Sequence, residues 1–352
     1  MPPNKPNSTT RPSAPAGRRM LDHYLHTASA GDRLLNPYRD ALILPPPQPG
    51  TMPEDLVGQQ QAMAWFRSEH PVLLAAISGS AGAGFGTPAW PLSCALATYL
   101  GREGRWHDWV DTERAALAAA RSAGDQAGQA HAHHGLGRAH ILLCHYDEAH
   151  TYLRQALAMF RQLGERRCQA RVHLDISRVF DRQALHREAL GHAQEALGLY
   201  RAAGHRVGQA IALNGVGWDL CHLGHHLQAV SCCLQAVALC DDLGYSPGEA
   251  AALDSLGYAH YHLGHYREAA SCYERALGSF RQLGDRYNEA GALAHLGDAH
   301  HAAGNPEAAH DAWQQAAAIL DDLHHPDGDQ VRARLTSLGN TRRAATATTP
   351  AP

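Results

Sequence analysis

Apolar and small side chains recur along this chain at the spacing of one helical face. In the segment EAHTYLRQALAMFRQLG they fall at the three-and-four interval: Tyr152, Leu153, Ala156, Leu157 and Phe160. A second run, GQAHAHHGLGRAHILL, precedes this segment, and the short turn CHYD separates the two. No stretch alternates with period two for long enough to indicate a strand. The pattern predicts an all-α chain built from helical hairpins.

The hairpin pattern repeats with a constant interval of forty residues. Glycines keep this step at Gly124, Gly164, Gly204, Gly244 and Gly284, and alanines keep it at Ala116, Ala156, Ala196, Ala236 and Ala276. Periods of about 20 to 50 residues are typical of solenoids, in which each unit buries its apolar face against the next. The glycines suit the left-handed residue that follows a helix C-terminus, because glycine lacks a Cβ. We therefore predict a repeat array whose second helices end at these glycines.

A second register pairs small residues with larger ones. The first helix of each hairpin has Gly137, Ser177, Gly217, Gly257 or Gly297, and the second helix has Ala149, Ala189, Ala229, Ala269 or Ala309, followed by Leu153, Ala193, Cys233, Tyr273 or Trp313. This order resembles the tetratricopeptide repeat (TPR), in a variant with lengthened helices. HEAT and armadillo arrays share the period but lack this register. The resemblance implies an all-α, right-handed superhelical solenoid of TPR-like helical hairpins with a forty-residue period.

The flanking segments differ in composition from the array. We expect a disordered tail over 1–18, a helical segment over 19–87 with a Pro-rich break at 45–53, a TPR solenoid over 88–338 and a disordered tail over 339–352. Within the solenoid we expect a capping repeat over 88–124, five repeats over 128–325 and a C-terminal capping helix over 327–338. Capping units shield the apolar ends of an array from water.

Charge and hydropathy limit the class of protein. The net charge is −4 and basic residues are dispersed, so we expect no direct binding of nucleic acid. No run approaches the roughly 18 apolar residues of a membrane span, and the N-terminal residues lack the apolar core of a secretory signal. The eight cysteines form no CxxC pair, which is typical of reduced thiols. These features favour a soluble cytoplasmic protein without a membrane partner.

Two features invite a chemical interpretation that their sequence context does not support. The 26 histidines contain no HExxH motif and often recur with the repeat, as His225 and His265 do, so we predict packing or turn roles and no metal site. The Gly-rich run at 79–87 lacks the Lys-Ser/Thr pair of a phosphate loop, so we interpret it as a flexible connection between helices. No GxSxG motif is present either. We predict no catalytic residue, no cofactor and no enzyme activity.

The first helices of stacked hairpins line the concave side of such arrays. The polar and aromatic candidates on this predicted groove are His134, Arg138, Arg171, Asp175, Arg178, Asn214, Trp218, Asp254, Tyr258, Tyr261, His295 and Asp298. Arg178, Trp218 and Tyr258 occupy the same place in three successive repeats. Arg, Trp and Tyr are enriched at binding hot spots because each combines a large contact area with directional hydrogen bonding. We therefore predict a protein or peptide partner, the alternative being an ordinary solvated surface.

Several phrases resemble the C-terminal TPR portion of actinobacterial AfsR-like regulators. They include MLDHYLHTASAGDRLLNPYRD, QAMAWFRSEHPVLLAAI, GRWHDWV, ALNGVGWDL, LDSLGYAHYHLGHYREA, DRYNEAGALAHLGDAHHAAGNPEAAHDAWQQA and LDDLHHPDGDQVRARL. In that family the portion follows an NB-ARC nucleotide-binding switch, often with a DNA-binding domain in front. This sequence shows no winged helix, phosphate loop or NB-ARC core, so the resemblance implies sensing or restraint through binding.

The leading hypothesis is thus a non-catalytic binding module of a transcriptional or signalling regulator. A self-associating scaffold that forms homo-oligomers through its end caps and a sensor of a small ligand are the alternatives.

Overall fold

The computed structural model describes residues 14–40, 42–83 and 89–347. The helices are α1 (Ala14–Leu35), α2 (Gly58–Ala83), α3 (Ala89–Arg102), α4 (Trp106–Ala123), α5 (Gln126–Leu142), α6 (Tyr146–Leu163), α7 (Arg166–Arg182), α8 (His186–Ala202), α9 (Arg206–His222), α10 (His226–Leu243), α11 (Ser246–His262), α12 (Tyr266–Leu283), α13 (Arg286–Ala302), α14 (Pro306–Asp322) and α15 (Asp327–Ala347). These ranges contain helices, turns and irregular connections, with no β-strand. None of the described helices combines the length and hydropathy that crossing a bilayer requires.

The chain divides into two compact units. The first comprises Met1–Tyr99 and Asp111–Ala132, and the second comprises Leu100–Val110 and His133–Pro352. Hairpins α5 with α6, α7 with α8, α9 with α10, α11 with α12 and α13 with α14 are called repeats 1 to 5 below. Consecutive helices from α6 to α15 pack in tandem along the chain. The predicted all-α solenoid of forty-residue hairpins is therefore confirmed.

Close packing in the second unit explains the small-residue register. A Cβ on Gly257 would lie 2.7 Å from Cε1 of Tyr273, and a Cβ on Gly217 would lie 2.5 Å from Sγ of Cys233. Both distances are shorter than a carbon side chain tolerates, so the glycines allow the two helices of a hairpin to approach. Repeat 2 has Ser177 at this position and the small Ala193 at the facing register position. The position on the first helix and the facing position on the second helix thus compensate in size: where the first holds a larger residue, the second holds a smaller one.

The turns show a second forty-residue register. The glycines that follow the second helices have positive φ, for example 73° at Gly164 and 61° at Gly204, which confirms the predicted helix stop. The turns inside the hairpins also need a positive φ, and repeats 3 to 5 place glycine there. Repeats 1 and 2 instead have Cys144 at 58° and Ala184 at 57°. These two residues hold a conformation that costs side chains with a Cβ about 1 kcal/mol or more.

In the first unit, α1 is shorter than the predicted helical stretch. The helix ends at Leu35 because Asn36 precedes Pro37, and a residue before proline disfavours the helical conformation. The segment that includes the Pro-rich break is not helical, and α2 begins at Gly58. Within the first unit, the amide of Glu54 donates to Oγ1 of Thr27 over 3.0 Å. The connection is thus held against α1.

Other element ends also differ from the sequence-based expectation. Helix α1 begins at Ala14, inside the predicted tail, and the remainder of that tail lies outside the described residues. Helix α2 includes Gly79–Ala83 of the Gly-rich run, whose residues 84–87 also lie outside the described residues. Helix α15 continues past Leu338 to Ala347, since the one glycine there, Gly339, costs a helix only about 1 kcal/mol and the following residues are mostly good helix formers.

Candidate functional site

The first helices of the repeats converge on one side of the second unit. Helix α9 packs directly against α7 and α11, and α11 also packs against α13, although these helices are not consecutive in the chain. First helices therefore approach one another across repeats. This arrangement defines an inner face, and the predicted groove residues belong to these helices and to α5.

The centre of the inner face is a group of rings that we call the aromatic cluster. Its members are Trp218, Tyr258 and His295, with His222 and His262 at its edge. The ring centroids of Trp218 and Tyr258 are 4.9 Å apart, those of Tyr258 and His295 are 5.5 Å apart, and those of Trp218 and His295 are 6.1 Å apart. All three side chains are half-buried. Rings from repeats 3, 4 and 5 thus form one continuous surface.

Burial shapes the chemistry of the cluster. It raises the pKa of Tyr258 to about 12, so the phenol stays neutral and available as a hydrogen-bond donor. Burial also lowers the pKa of His222, whose imidazole stacks on the ring of Tyr258 at 4.9 Å and 15°. Tyr258 and His222 therefore present polar atoms on flat rings without adding charge to the cluster.

Carboxylates flank the cluster on the side of His295. Nδ1 of His295 lies 3.1 Å from Oδ1 of Asp254. Burial disfavours the imidazolium, but the Asp254 carboxylate outweighs that effect and raises the pKa of His295. Asp298 accepts a hydrogen bond from Nε1 of Trp313 at 3.1 Å and lies 3.3 Å from Nε of Arg334. Both predicted carboxylates are thus engaged within the second unit.

A second group of predicted residues surrounds Asp175. Nε2 of His134 lies 2.7 Å from Oδ2 of Asp175, and Nη1 of Arg178 lies 3.1 Å from Oδ1. Burial alone would raise the pKa of Asp175, but the hydrogen bond from His134 and the charge of Arg178 lower it to about 2. His134 and Asp175 are buried, whereas the Arg178 side chain is 56% exposed. The buried pair therefore orients the exposed guanidinium.

The remaining predicted residues occupy less central places. The guanidinium of Arg138 lies 5.0 Å from the ring centroid of Trp109. Arg171 and Asn214 are half-buried, and Tyr261 packs partly against the hydrophobic core of repeats 4 and 5. The structure thus brings Trp218, Asp254, Tyr258 and His295 together, and groups His134, Asp175 and Arg178 separately.

Sequence reasoning missed one cluster of side chains that could bind a metal ion. Asp181, His186 and His222 meet where α7 ends, α8 begins and α9 ends, and the ring centroids of the two histidines are 4.6 Å apart. Nearby, burial and the charge of Asp181 raise the pKa of Asp219 to about 8. These residues belong to three different helices, so no local motif marks them. Only the forty-residue step from His186 to His226 and from His222 to His262 hinted at paired imidazoles.

The second unit curls enough to bring distant repeats into contact. Arg182 of repeat 2 donates to the hydroxyl of Tyr287 in repeat 5, and its Nη1 lies 3.2 Å from Asp327 of α15. The hydroxyl of Tyr287 also donates to Asp327 at 3.0 Å. These contacts connect repeat 2 to the C-terminal end of the array.

Comparisons with known proteins agree with this architecture. Family models described as tetratricopeptide repeat match residues 208–282 and 130–163. No curated protein matches the chain at a significant level. The matched segments correspond to repeats 3 and 4 and to repeat 1. These three repeats are therefore similar in sequence to tetratricopeptide repeats.

Solved structures of other helical proteins share the fold at low sequence identity. A Rap protein complexed with Competence and Sporulation Factor is 16% identical, with 80% of this chain and 84% of that chain covered and a TM-score of 0.56. The Rap conjugation gene regulator of plasmid pLS20, in complex with the Phr* peptide, is 12% identical over 88% and 78%, with a TM-score of 0.55. Aspartyl phosphate phosphatase F from Bacillus subtilis is 11% identical over 96% and 96%, with a TM-score of 0.52. These likenesses define the class of fold, a TPR-type helical solenoid.

Proposed function

We propose that the second unit binds a peptide or an extended segment of a protein along its inner face. The observation that carries this proposal is the convergence of Trp218, Tyr258 and His295 from three repeats on one half-buried surface. Large aromatic side chains near the centre of an interface commonly supply most of its binding energy. A partner would contact the aromatic cluster first and the flanking polar groups next.

Preorganisation supports the same proposal. Arg178 is exposed, yet Asp175 holds its guanidinium, and Asp175 is itself hydrogen-bonded to the buried His134. A fixed guanidinium loses less rotamer entropy on binding than a free one, and it can pair with a carboxylate or a backbone carbonyl. Asp254 and His295 are fixed to each other in the same way. The inner face thus offers rigid polar contacts on both sides of the rings.

The solved structures supply a precedent for this type of ligand. The pLS20 regulator, which shares the fold, is in complex with a peptide. The likeness supports a peptide-binding solenoid here without assigning the same ligand. The AfsR-like resemblance, which stays a prediction, favours a regulator as the context of binding. We therefore infer a non-catalytic, cytoplasmic module that senses or restrains by occupying its inner face.

Affinity capture from cells that produce the protein tests the proposal. The baits are the unaltered chain, the Trp218→Ala and Tyr258→Ala double variant, and Leu234→Ala as a matched control. Leu234 is 50% exposed on α10, a second helix, so its truncation removes apolar surface away from the inner face. We expect a partner that the control retains and the double variant loses. A partner captured equally by all three baits contradicts the proposal, and capture of the chain alone supports the self-associating scaffold instead.

A further inference from the structure

We propose that Asp181, His186 and His222 form a binding site for a divalent transition-metal ion of the zinc type. Asp181 lies in the last turn of α7, His186 is the first residue of α8 and His222 is the last residue of α9. One donor atom from each side chain lies within 4.8 Å of the other two. The site shares His222 with the edge of the aromatic cluster, and its other two residues lie outside that cluster. It differs from the sequence-based expectation that the histidines hold no metal.

The separations suit a tetrahedral ion after small side-chain rotations. Zinc bonds of about 2.0 to 2.2 Å to nitrogen and oxygen place neighbouring ligand atoms roughly 3.3 Å apart. Nδ1 of His186 already lies 3.1 Å from Oδ1 of Asp181. The rings of His186 and His222 are stacked, with centroids 4.6 Å apart and planes 29° apart, and this stacking keeps their nitrogens near each other. The backbones of three helices fix this arrangement, and the side chains need only close on the ion.

The hydrogen bonding of His222 is that of a metal ligand. Nδ1 of His222 lies 3.1 Å from the carbonyl oxygen of Trp218, which fixes Nδ1 as the donor and leaves Nε2 as the nitrogen with a lone pair. Metal-binding histidines usually donate their other ring N–H to a carbonyl or carboxylate in this manner. The imidazole is thus oriented before any ion arrives.

Charge and donor type select the class of ion. Asp181 brings a carboxylate to the two imidazoles, and a negative charge in a partly dehydrated corner favours a cation. Two imidazoles with one carboxylate suit zinc, cobalt or nickel, whereas magnesium and calcium prefer oxygen ligands throughout. Three protein ligands leave one position for water or for a group from a partner.

The next repeat supplies a matched control. Forty residues on, Cys221, His226 and His262 take the equivalent positions. The rings of His226 and His262 lie 5.2 Å apart, but Cys221 is buried and His262 is exposed. Among the described residues, Asp181, His186 and His222 are the group whose three donor atoms meet within 4.8 Å. If metal binding required only neighbouring histidines, both groups would bind an ion. If it requires three converging donor atoms, only the group of Asp181, His186 and His222 binds one.

The test uses the untagged full chain, stripped of metal with a chelator and titrated with Zn²⁺ by calorimetry. We expect one tight site per chain, weakened at least tenfold in His186→Ala and in Asp181→Asn and unchanged in His226→Ala. Asp181→Asn conserves the shape of the side chain, so it decides the question if His186→Ala proves misfolded by circular dichroism. Titration with Co²⁺ should also give the intense visible absorption of a tetrahedral ion, and this signal should be lost in Asp181→Asn.

Two results would overturn the proposal. One is an equal loss of Zn²⁺ affinity in His226→Ala and His186→Ala, which would indicate general histidine binding. The other is weak binding of several ions per chain that Asp181→Asn leaves unchanged. Neither result bears on peptide binding, because the aromatic cluster is intact in all three variants.

Discussion

The ring of Tyr273 lies directly against the backbone of Gly257, so that a Cβ on the glycine would stand 2.7 Å from Cε1 of the ring. Tyr273 is 1% exposed and lies in the core of repeats 4 and 5, where it cannot move aside without disturbing its neighbours. The contact fixes how closely α11 and α12 approach. The equivalent glycines of repeats 1, 3 and 5 lie in the same way against Leu153, Cys233 and Trp313.

Gly257→Leu should therefore destabilise the protein more than a change of equal size at the surface. Overpacking of this kind typically costs about 1 to 3 kcal/mol. Gln314→Leu is the control, because Gln314 is exposed on α14. Thermal melting of the two variants checks the prediction, and equal melting temperatures would show that this contact does not limit the packing of the hairpin.

Ala184→Gly should stabilise the protein by about 1 kcal/mol. Ala184 has a φ of 57°, a conformation that glycine adopts without steric cost and that the equivalent Gly224 and Gly264 adopt in the following repeats. The matched control is Ala158→Gly, which places glycine on the exposed side of helix α6 and should cost about 1 kcal/mol. Chemical denaturation should thus move the two midpoints in opposite directions. A loss of stability in both variants would contradict the turn geometry.

Asp219→Asn should stabilise the protein, and by more at higher pH. The pKa of this carboxyl is raised from 3.8 to about 8 by burial and by Asp181, so folding keeps it protonated while the unfolded chain ionises it. The wild type therefore loses stability as pH rises between these two values, whereas the asparagine variant lacks this loss. The advantage of the variant should grow by about 1 to 3 kcal/mol between pH 5 and pH 7.5.

Unfolding curves recorded with a chelator at several pH values measure this difference. Asp181→Asn provides a companion variant, because removing that charge should lower the pKa of Asp219 and weaken the pH dependence. The raised pKa would be contradicted if the difference in the free energy of unfolding between Asp219→Asn and the wild type stayed the same at every pH.

The sequence predicted the repeats well because packing in a solenoid is local. Gly257 faces Tyr273 within one hairpin, so a constraint that recurs every forty residues appears directly in the sequence. The positive φ of the turn inside each hairpin also recurs every forty residues, even where the residue is not glycine, as at Cys144 and Ala184. Helix ends were harder to predict, since the end of α1 depends on the single dipeptide Asn36-Pro37.

The contacts across repeats could not be predicted from periodicity. Trp218 meets His295 two repeats away because the first helices converge, and this distance depends on the curvature of the whole array. The position of His134 on its helix suggested an exposed side chain. In the structure, His134 is buried and pairs with the buried Asp175. The site of Asp181, His186 and His222 likewise exists only once three helix ends are brought together.

The most direct test of the central claim is to measure partner affinity and melting temperature on the same variant, Trp218→Ala. The indole is half-buried in the middle of the aromatic cluster, so we predict a loss of at least about 2 kcal/mol in binding, roughly thirtyfold in affinity, with the fold retained. A variant that melts like the wild type and binds the partner with unchanged affinity would contradict the proposed binding surface. A loss of about 3 to 5 kcal/mol in stability would instead assign Trp218 to the core.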